Sequence, residues 1–241
     1  MARIAVMSDI HANAPALEAV WRDIGRQKLD AVYHLGDLVG YNPHPAEVIE
    51  FIKDNQVPGI SGNYDLAVAG GEPDPVSVYL KEKISPAGVA AWEWTRARVS
   101  TPDRDYLKNL PQRLDLEIEG ARLTLVHGSP ESIREYLRPD IPDDRLNRLT
   151  FLTGSDALLC GHTHIPMIRR VESGLVLNPG SVGKPKDGDP RAGYLLLDIE
   201  KGRLTPELRR VEYPVSQVAE AIRASGLPKV QADSLEKGLS A

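Results

Sequence analysis

The sequence predicts an α/β fold with mixed parallel and antiparallel strands. Three observations carry that prediction. In the first sixty residues, short apolar runs alternate with helical periodicity in the order strand, helix, strand, helix, strand. That order implies parallel strands with right-handed crossovers. After residue 156 most of the apolar runs are separated by glycine and proline turns, the pattern of a mostly antiparallel meander. Several runs also stop at an Asp, an Asn or a His, as they do where functional groups gather at the carboxyl ends of strands.

The elements follow in chain order. Ile4 to Met7 reads as a buried strand. Pro15 suits the first turn of a helix, and Leu17, Val20, Trp21 and Ile24 mark its buried face. Ala31 to Leu35 is a second strand, and Val48, Phe51 and Ile52 mark a second helix. A short strand is expected near Gly59-Ile60. Residues 66 to 112 read as a helical insertion carrying Trp92 and Trp94, packed beside the sheet or over the site. Strands resume at Leu114–Ile118, Leu123–Val126 and Ala157–Cys160. The meander comprises Met167–Val171, Leu175–Leu177, Tyr194–Ile199 and Leu204–Val211. Val215, Val218, Ala219 and Ile222 mark a late helix. Beyond Gly226 the pattern weakens, and the last ten or so residues are expected to fray.

The chain has 241 residues, of which 41% are hydrophobic. That suffices for one large core, and a single domain is expected. The net charge of −5 argues against an extended nucleic-acid surface, which needs a basic excess. One cysteine, Cys160, rules out an internal disulfide and fits a reducing cytoplasm. The first apolar stretch is strand-length, unlike a signal peptide, and no run approaches the roughly 20 residues of a membrane span. The expectation is a cytoplasmic protein without a membrane segment, with homo-oligomers open.

Five short motifs carry the chemistry: Asp9-Ile10-His11, Gly36-Asp37, Gly62-Asn63, Val126-His127-Gly128 and Gly161-His162-Thr163-His164. Each alone has a plain structural reading as a turn, a cap or a buried histidine. Together they supply three oxygen ligands and four imidazoles, enough for two metal ions sharing one carboxylate. If the segments are extended, Asp9 and His11 point to one side, as do His162 and His164. Mixed imidazole and carboxylate donors suit manganese, iron, zinc or nickel better than calcium or magnesium.

This set of motifs resembles that of the calcineurin-like metallophosphoesterase superfamily, and more narrowly its small prokaryotic phosphodiesterase branch. Asn178-Pro179-Gly180-Ser181 is also typical of that branch. The resemblance implies two sheets flanked by helices, in α-β-β-α layers with the site at one edge. It implies one metal held by Asp9, His11, Asp37 and His164, a second by Asp37, Asn63, His127 and His162, and Asp37 bridging. Manganese is the metal it favours. It also implies a metal-bridging hydroxide as nucleophile, with no covalent intermediate.

One position departs from the pattern. The family often reads Gly-Asn-His-Asp, where the histidine assists the leaving group; here the run is Gly62-Asn63-Tyr64-Asp65. A phenol, with a pKa of ~10, is a far weaker acid near neutral pH, yet it can donate to a phosphate oxygen. Asp65 is expected to orient the loop around Asn63. His44 is a candidate for the missing acid, and Ser129, Glu131, Arg134 and Tyr136 could line the mouth. Ser181 and Lys184 follow the Asn178 turn, and Lys184 could meet a second phosphate. His34, inside a strand, reads as structural.

The expected catalytic set is Asp37, Asn63, Tyr64, Asp65 and His127, acting on a small-molecule or nucleotide phosphate ester, with diesters preferred over monoesters. The rival is a metal-binding scaffold or regulatory module with weak chemistry, to which Tyr64 alone points. A phosphoprotein or dinucleoside polyphosphate hydrolase is a third possibility.

Overall fold

The computed structural model describes residues 1–70 and 85–240. Among them two sheets stack face to face. The first has the order β2-β1-β8-β9, with β1 (Ala2–Met7), β2 (Ala31–His34), β8 (Ala192–Glu200) and β9 (Arg203–Val211). The second has the order β3-β4-β5-β7-β6, with β3 (Arg113–Ile118), β4 (Ala121–Val126), β5 (Ala157–Leu159), β6 (Met167–Val171) and β7 (Gly174–Asn178). Each sheet is mixed. β1 runs parallel to β2 and antiparallel to β8, while β5 runs parallel to both β4 and β7.

Side-chain alternation explains the layers. Ile4 and Val6 of β1 point into a core shared with Leu123 and Leu125 of β4 and with Leu175 and Leu177 of β7. Ala5 and Met7, one residue out of phase, enter a second core on the opposite face of the first sheet. There they meet α1 (Ala14–Ile24) through Leu17 and Val20, and α2 (Pro45–Asp54) through Val48, Ile49 and Ile52. A third core lies outside the second sheet, where Leu158 and Val176 pack on Leu146 and Leu149 of α6 (Asp143–Thr153). Strands buried on both faces read as continuous apolar runs, which is why β1 was legible. Asn13 caps α1 by accepting from the Ala16 N–H at 3.2 Å, and Pro15 occupies its first turn.

Four expectations need correction. The strand near Gly59-Ile60 is only an isolated bridge between His34 and Gly59. The four late strands do not form one meander. They are two hairpins, β6-β7 and β8-β9, and they enter different sheets. Local turn signals specify a hairpin but not the strand it joins. The tail does not fray over its helical part. After α7 (Val215–Ser225), residues 229–237 form α8 (Lys229–Lys237), which buries Gln231, Ala232, Ser234 and Leu235. The weak pattern arises because two of those buried residues are polar.

Between β2 and β3 lie α3 (Asn63–Ala69), α4 (Pro86–Arg96) and α5 (Thr101–Asn109). Trp92 and Leu107 are buried in the same core as α1 and α2. The rest of the expected insertion, residues 71–84, lies outside the described residues.

The fourth correction is local. Asp9 (φ 53°), His11 (46°), Asp37 (53°), His162 (65°) and His164 (60°) are left-handed, not extended. For residues with a Cβ this is a strained conformation that surrounding structure must hold, and such residues cluster at functional sites.

Candidate metal centre

The five motifs meet at the carboxyl ends of two parallel strand pairs, β1-β2 in one sheet and β4-β5 in the other. Asp9 and His11 follow β1, Asp37 follows β2, His127 follows β4, and His162 and His164 follow β5. Asn63 opens α3. Two glycines let the loops close. A Cβ on Gly36 would sit 2.2 Å from the Gly62 nitrogen, and one on Gly62 would sit 2.1 Å from Asp37 Oδ1. Only bare backbone fits where the Asp37 and Asn63 loops touch.

Two buried groups of metal-ligating side chains result: Asp9, His11 and His164, and Asp37, His127 and His162. Each draws on both sheets. The paired histidines of one turn therefore fall in different groups.

Backbone carbonyls orient the rings. Nδ1 of His11 lies 2.8 Å from Val39 O, that of His127 2.7 Å from Leu35 O, and that of His164 2.5 Å from Lys184 O. The His162 ring bonds to the backbone carbonyl of Arg134. A carbonyl accepts only from an N–H, so Nδ1 carries a proton at His11, His127 and His164, and in the neutral rings of His11 and His164 Nε2 keeps a lone pair facing inward.

Those inward atoms crowd together. Nε2 of His11 and of His164 are 3.2 Å apart, and His164 Nε2 is 3.3 Å from Asp9 Oδ1. Asp37 Oδ2 lies 3.5 Å from His11 Nε2 and 3.4 Å from His127 Nε2, and His127 Nε2 lies 3.0 Å from Asn63 Oδ1. Asp9 Oδ1 and His162 Nε2 are buried without a hydrogen-bond partner. Lone pairs facing one another, beside orphaned acceptors, are the donor arrangement that a divalent cation relieves.

A surrounding layer holds the carboxylates. Asp9 Oδ2 accepts from Ser8 Oγ at 2.6 Å and from the His162 N–H at 3.1 Å. Asp37 Oδ1 accepts from the Tyr64 N–H at 2.8 Å. Asp65 accepts from the N–H groups of Gly62 and Leu38 at 2.9 and 2.8 Å, clasping the two loops together. Asn178 donates to Gly161 O and Thr163 Oγ1 at 2.8 and 3.0 Å, bracing the histidine turn.

Burial sets the charges. It drives the His11 and His162 pKa down to about 3 and that of His164 well below its ordinary value. It raises Asp9 to about 6. Burial also opposes charge on Asp37 and His127, but their mutual attraction outweighs it. Asp37 stays below the usual carboxylate range, and His127 rises to about 9. Burial and the Asp37 charge push Asp65 up to about 7.

The other expected residues divide. Tyr64 is buried at the centre, its ring 5.4 Å from that of His11 and 4.6 Å from that of Tyr41, with a hydroxyl that lacks a hydrogen-bond partner. Ser129 is a loop organiser. Its Oγ donates to Glu135 and accepts from the N–H groups of Glu131 and Ser132. Arg134 acts through its carbonyl on His162. Tyr136 stacks on His162, ring centroids 4.1 Å apart. Ser181 donates to Asp9 O at 2.7 Å and so ties down that loop. His44 stands at the start of α2, and among the described residues it makes no hydrogen bond or ring contact to either group. His34 is buried against Gly59 and held neutral, its pKa lowered by burial to about 4.

Three residues at the site escaped the sequence reading. Tyr41 packs its ring edge-on to His11 at 4.8 Å. Asn42 donates to His11 O at 2.7 Å. Lys186 is close enough to Asp9 and Asp37 for their charges to act on it. No periodicity marks them; only their positions just after Asp37 and the Asn178 turn were available as signals.

The arrangement matches a known sequence pattern. The calcineurin-like phosphoesterase superfamily domain matches residues 2–202. The chain belongs to this superfamily. It is accordingly a hydrolase of phosphate esters. A solved metallophosphoesterase of Sphaerobacter thermophilus is 30% identical, with 99% of each chain covered and a TM-score of 0.79. A hypothetical protein of Pyrococcus horikoshii, 28% identical, superposes over all of both chains with a TM-score of 0.89. The phosphodiesterase YfcE of Escherichia coli is 26% identical over 82% of this chain and 88% of its own. In this phosphoesterase no helix of the described residues is long and apolar enough to cross a membrane.

Proposed function

We propose that the chain is a dinuclear phosphodiesterase. One ion is held by Asp9, His11, Asp37 and His164, the other by Asp37, Asn63, His127 and His162. The observation that carries this reading is the place of Asp37 Oδ2, at 3.5 and 3.4 Å from a histidine of each group. A carboxylate oxygen between two donor sets suits a bridge. Manganese is the preferred metal, with iron, zinc or nickel also compatible with the donors. When bound, two such ions lower the pKa of water to supply a nucleophile and stabilise charge on the phosphoryl oxygens.

The chain's own residues do the rest. The carbonyl-anchored imidazoles of His11, His162 and His164 hold their lone pairs inward without rearrangement, and that of His127 does so once deprotonated. The Tyr64 phenol, pushed well above its ordinary pKa by burial and by Tyr41, stays protonated through the physiological range. It is therefore a hydrogen-bond donor to a phosphoryl oxygen and a poor proton donor to a leaving group. That favours esters whose leaving group departs with little acid assistance, such as activated or enol-like diesters. Asp65 positions Asn63 and Asp37, and the single buried cysteine suits a reducing cytoplasm.

The test is hydrolysis of bis-p-nitrophenyl phosphate and p-nitrophenyl phosphate by chelator-treated protein with and without added manganese. Manganese-dependent turnover, faster on the diester, is the expected result. Equal turnover without metal would sink the reading.

A further inference from the structure

A cavity of about 160 Å³ adjoins the metal centre, lined by Tyr41, Ser85, Gly88, Lys184, Lys186 and Gln231 among others. It is too small for a whole drug-sized ligand, which needs roughly 300 Å³ or more, but it is large enough for one terminal group. Tyr41, which lines it, packs edge-on to His11 with ring centroids 4.8 Å apart. Lys184 Nζ lies 4.6 Å from the centroid of the Tyr41 ring, which also meets the rings of His11 and Tyr64.

The charge in this cavity is unusual for a chain of net charge −5. Lys184 is 3% exposed, and its ammonium donates to neutral partners, Gln231 Oε1 at 2.7 Å and Ser234 Oγ at 3.2 Å. Among the described residues neither Lys184 nor Lys186 forms an ion pair with a carboxylate. Burying an ammonium without a counter-charge is costly, and an anionic group entering the cavity would supply that counter-charge. Lys186 is partly compensated by Asp9 and Asp37. The first turn of α4 lines the same wall through Ser85 and Gly88, adding the positive end of a helix. Gln231 ties the two sides together, since its Nε2 donates to Ala87 O at 3.5 Å.

We propose that Lys184 and Lys186, with the first turn of α4, form a subsite for a second phosphoryl group, so that the preferred substrate is a phosphate ester bearing a further phosphate beyond Tyr41. This rests on the phosphodiesterase reading above and narrows its substrate class.

The experiment compares the p-nitrophenyl ester of thymidine 5′-phosphate with the same ester phosphorylated on its 3′-oxygen, at saturating manganese. The second phosphate is expected to raise kcat/KM about tenfold, through KM, as a charge-assisted contact would. In Lys186→Met the ratio between the two esters should fall towards one. Lys184→Met should do the same, and the partly exposed Lys186 keeps the test open if the buried variant does not fold. A ratio near one in the unaltered protein, or a preference that survives in Lys186→Met, overturns the subsite. Calorimetry with thymidine 5′-phosphate and thymidine 3′,5′-bisphosphate separates the two readings. Tighter binding of the bisphosphate, lost in Lys186→Met, supports the subsite even if neither ester is hydrolysed, an outcome that would count against the phosphodiesterase alone. Equal binding, or none of either, overturns the subsite whatever the turnover.

Discussion

His11 and His164 follow strands of opposite sheets, yet their Nε2 atoms lie 3.2 Å apart, each ring held from behind by a carbonyl on its Nδ1. With both rings neutral, the two lone pairs repel unless a cation sits beside them. Metal should therefore be bound tightly and should stabilise the fold. We expect chelator-treated protein to take up two manganese ions in calorimetry. At about 100 times the dissociation constant, each independent site would add roughly 2.7 kcal/mol to stability. A thermal midpoint indifferent to manganese would contradict this.

Binding should release protons. In the metal-free protein His127 is protonated below about pH 9, because Asp37 outweighs its burial. Asp9 is protonated below about pH 6. Ions take only the deprotonated ligands, so affinity should weaken as pH falls, first through His127 and then also through Asp9. Titrations at pH 7 in two buffers of different ionisation heat should give different apparent enthalpies, a difference that shrinks by pH 9.5. Buffer-independent heats at pH 7 would show that His127 is already neutral.

Asp37 is the shared oxygen donor in the proposed centre. Asp37→Asn should lower kcat by roughly a hundredfold or more, the scale seen when a group stabilising transition-state charge is removed. Circular dichroism should show the fold retained, and metal stoichiometry should drop. Near-full turnover by this variant would end the dinuclear proposal.

Tyr64 offers an unpartnered hydroxyl at the centre. Tyr64→Phe should cost about 1 kcal/mol of transition-state stabilisation, or several-fold in kcat/KM, as a single hydrogen bond would. Tyr64→His should selectively improve esters with poor leaving groups. A series of aryl diesters with graded phenol pKa reads this directly: the dependence of rate on leaving group should flatten in the histidine variant. An unchanged slope would mean that residue 64 does not face the leaving group.

Gly62 lies where a Cβ would come 2.1 Å from Asp37 Oδ1. Gly62→Ala should therefore destabilise by about 1–3 kcal/mol, the usual range for overpacking, and should weaken metal binding as well. Denaturant unfolding with and without manganese separates the two effects. A variant as stable as the parent would show that the loops have room to part.

Much of this protein was legible in its amino-acid order. β1 and β4 stand out as apolar runs because they are buried on both faces, and α1 announces itself by Pro15 and a periodic apolar stripe. The seven candidate donors were legible because each stands after a strand or at a helix start, where local pattern is strongest. Tertiary structure alone decided the rest. It sent β6-β7 and β8-β9 to different sheets, because turn chemistry encodes a hairpin but not its neighbour. It set a left-handed rather than extended backbone at His162 and His164, which places each ring in its own group. It also folded α8 over Lys184 through Gln231 and Ser234, polar residues whose burial no periodicity records. Donor identity and element type are local properties of the chain. Which candidate donors lie together, and which lysines line a cavity, depend on contacts between residues far apart in sequence.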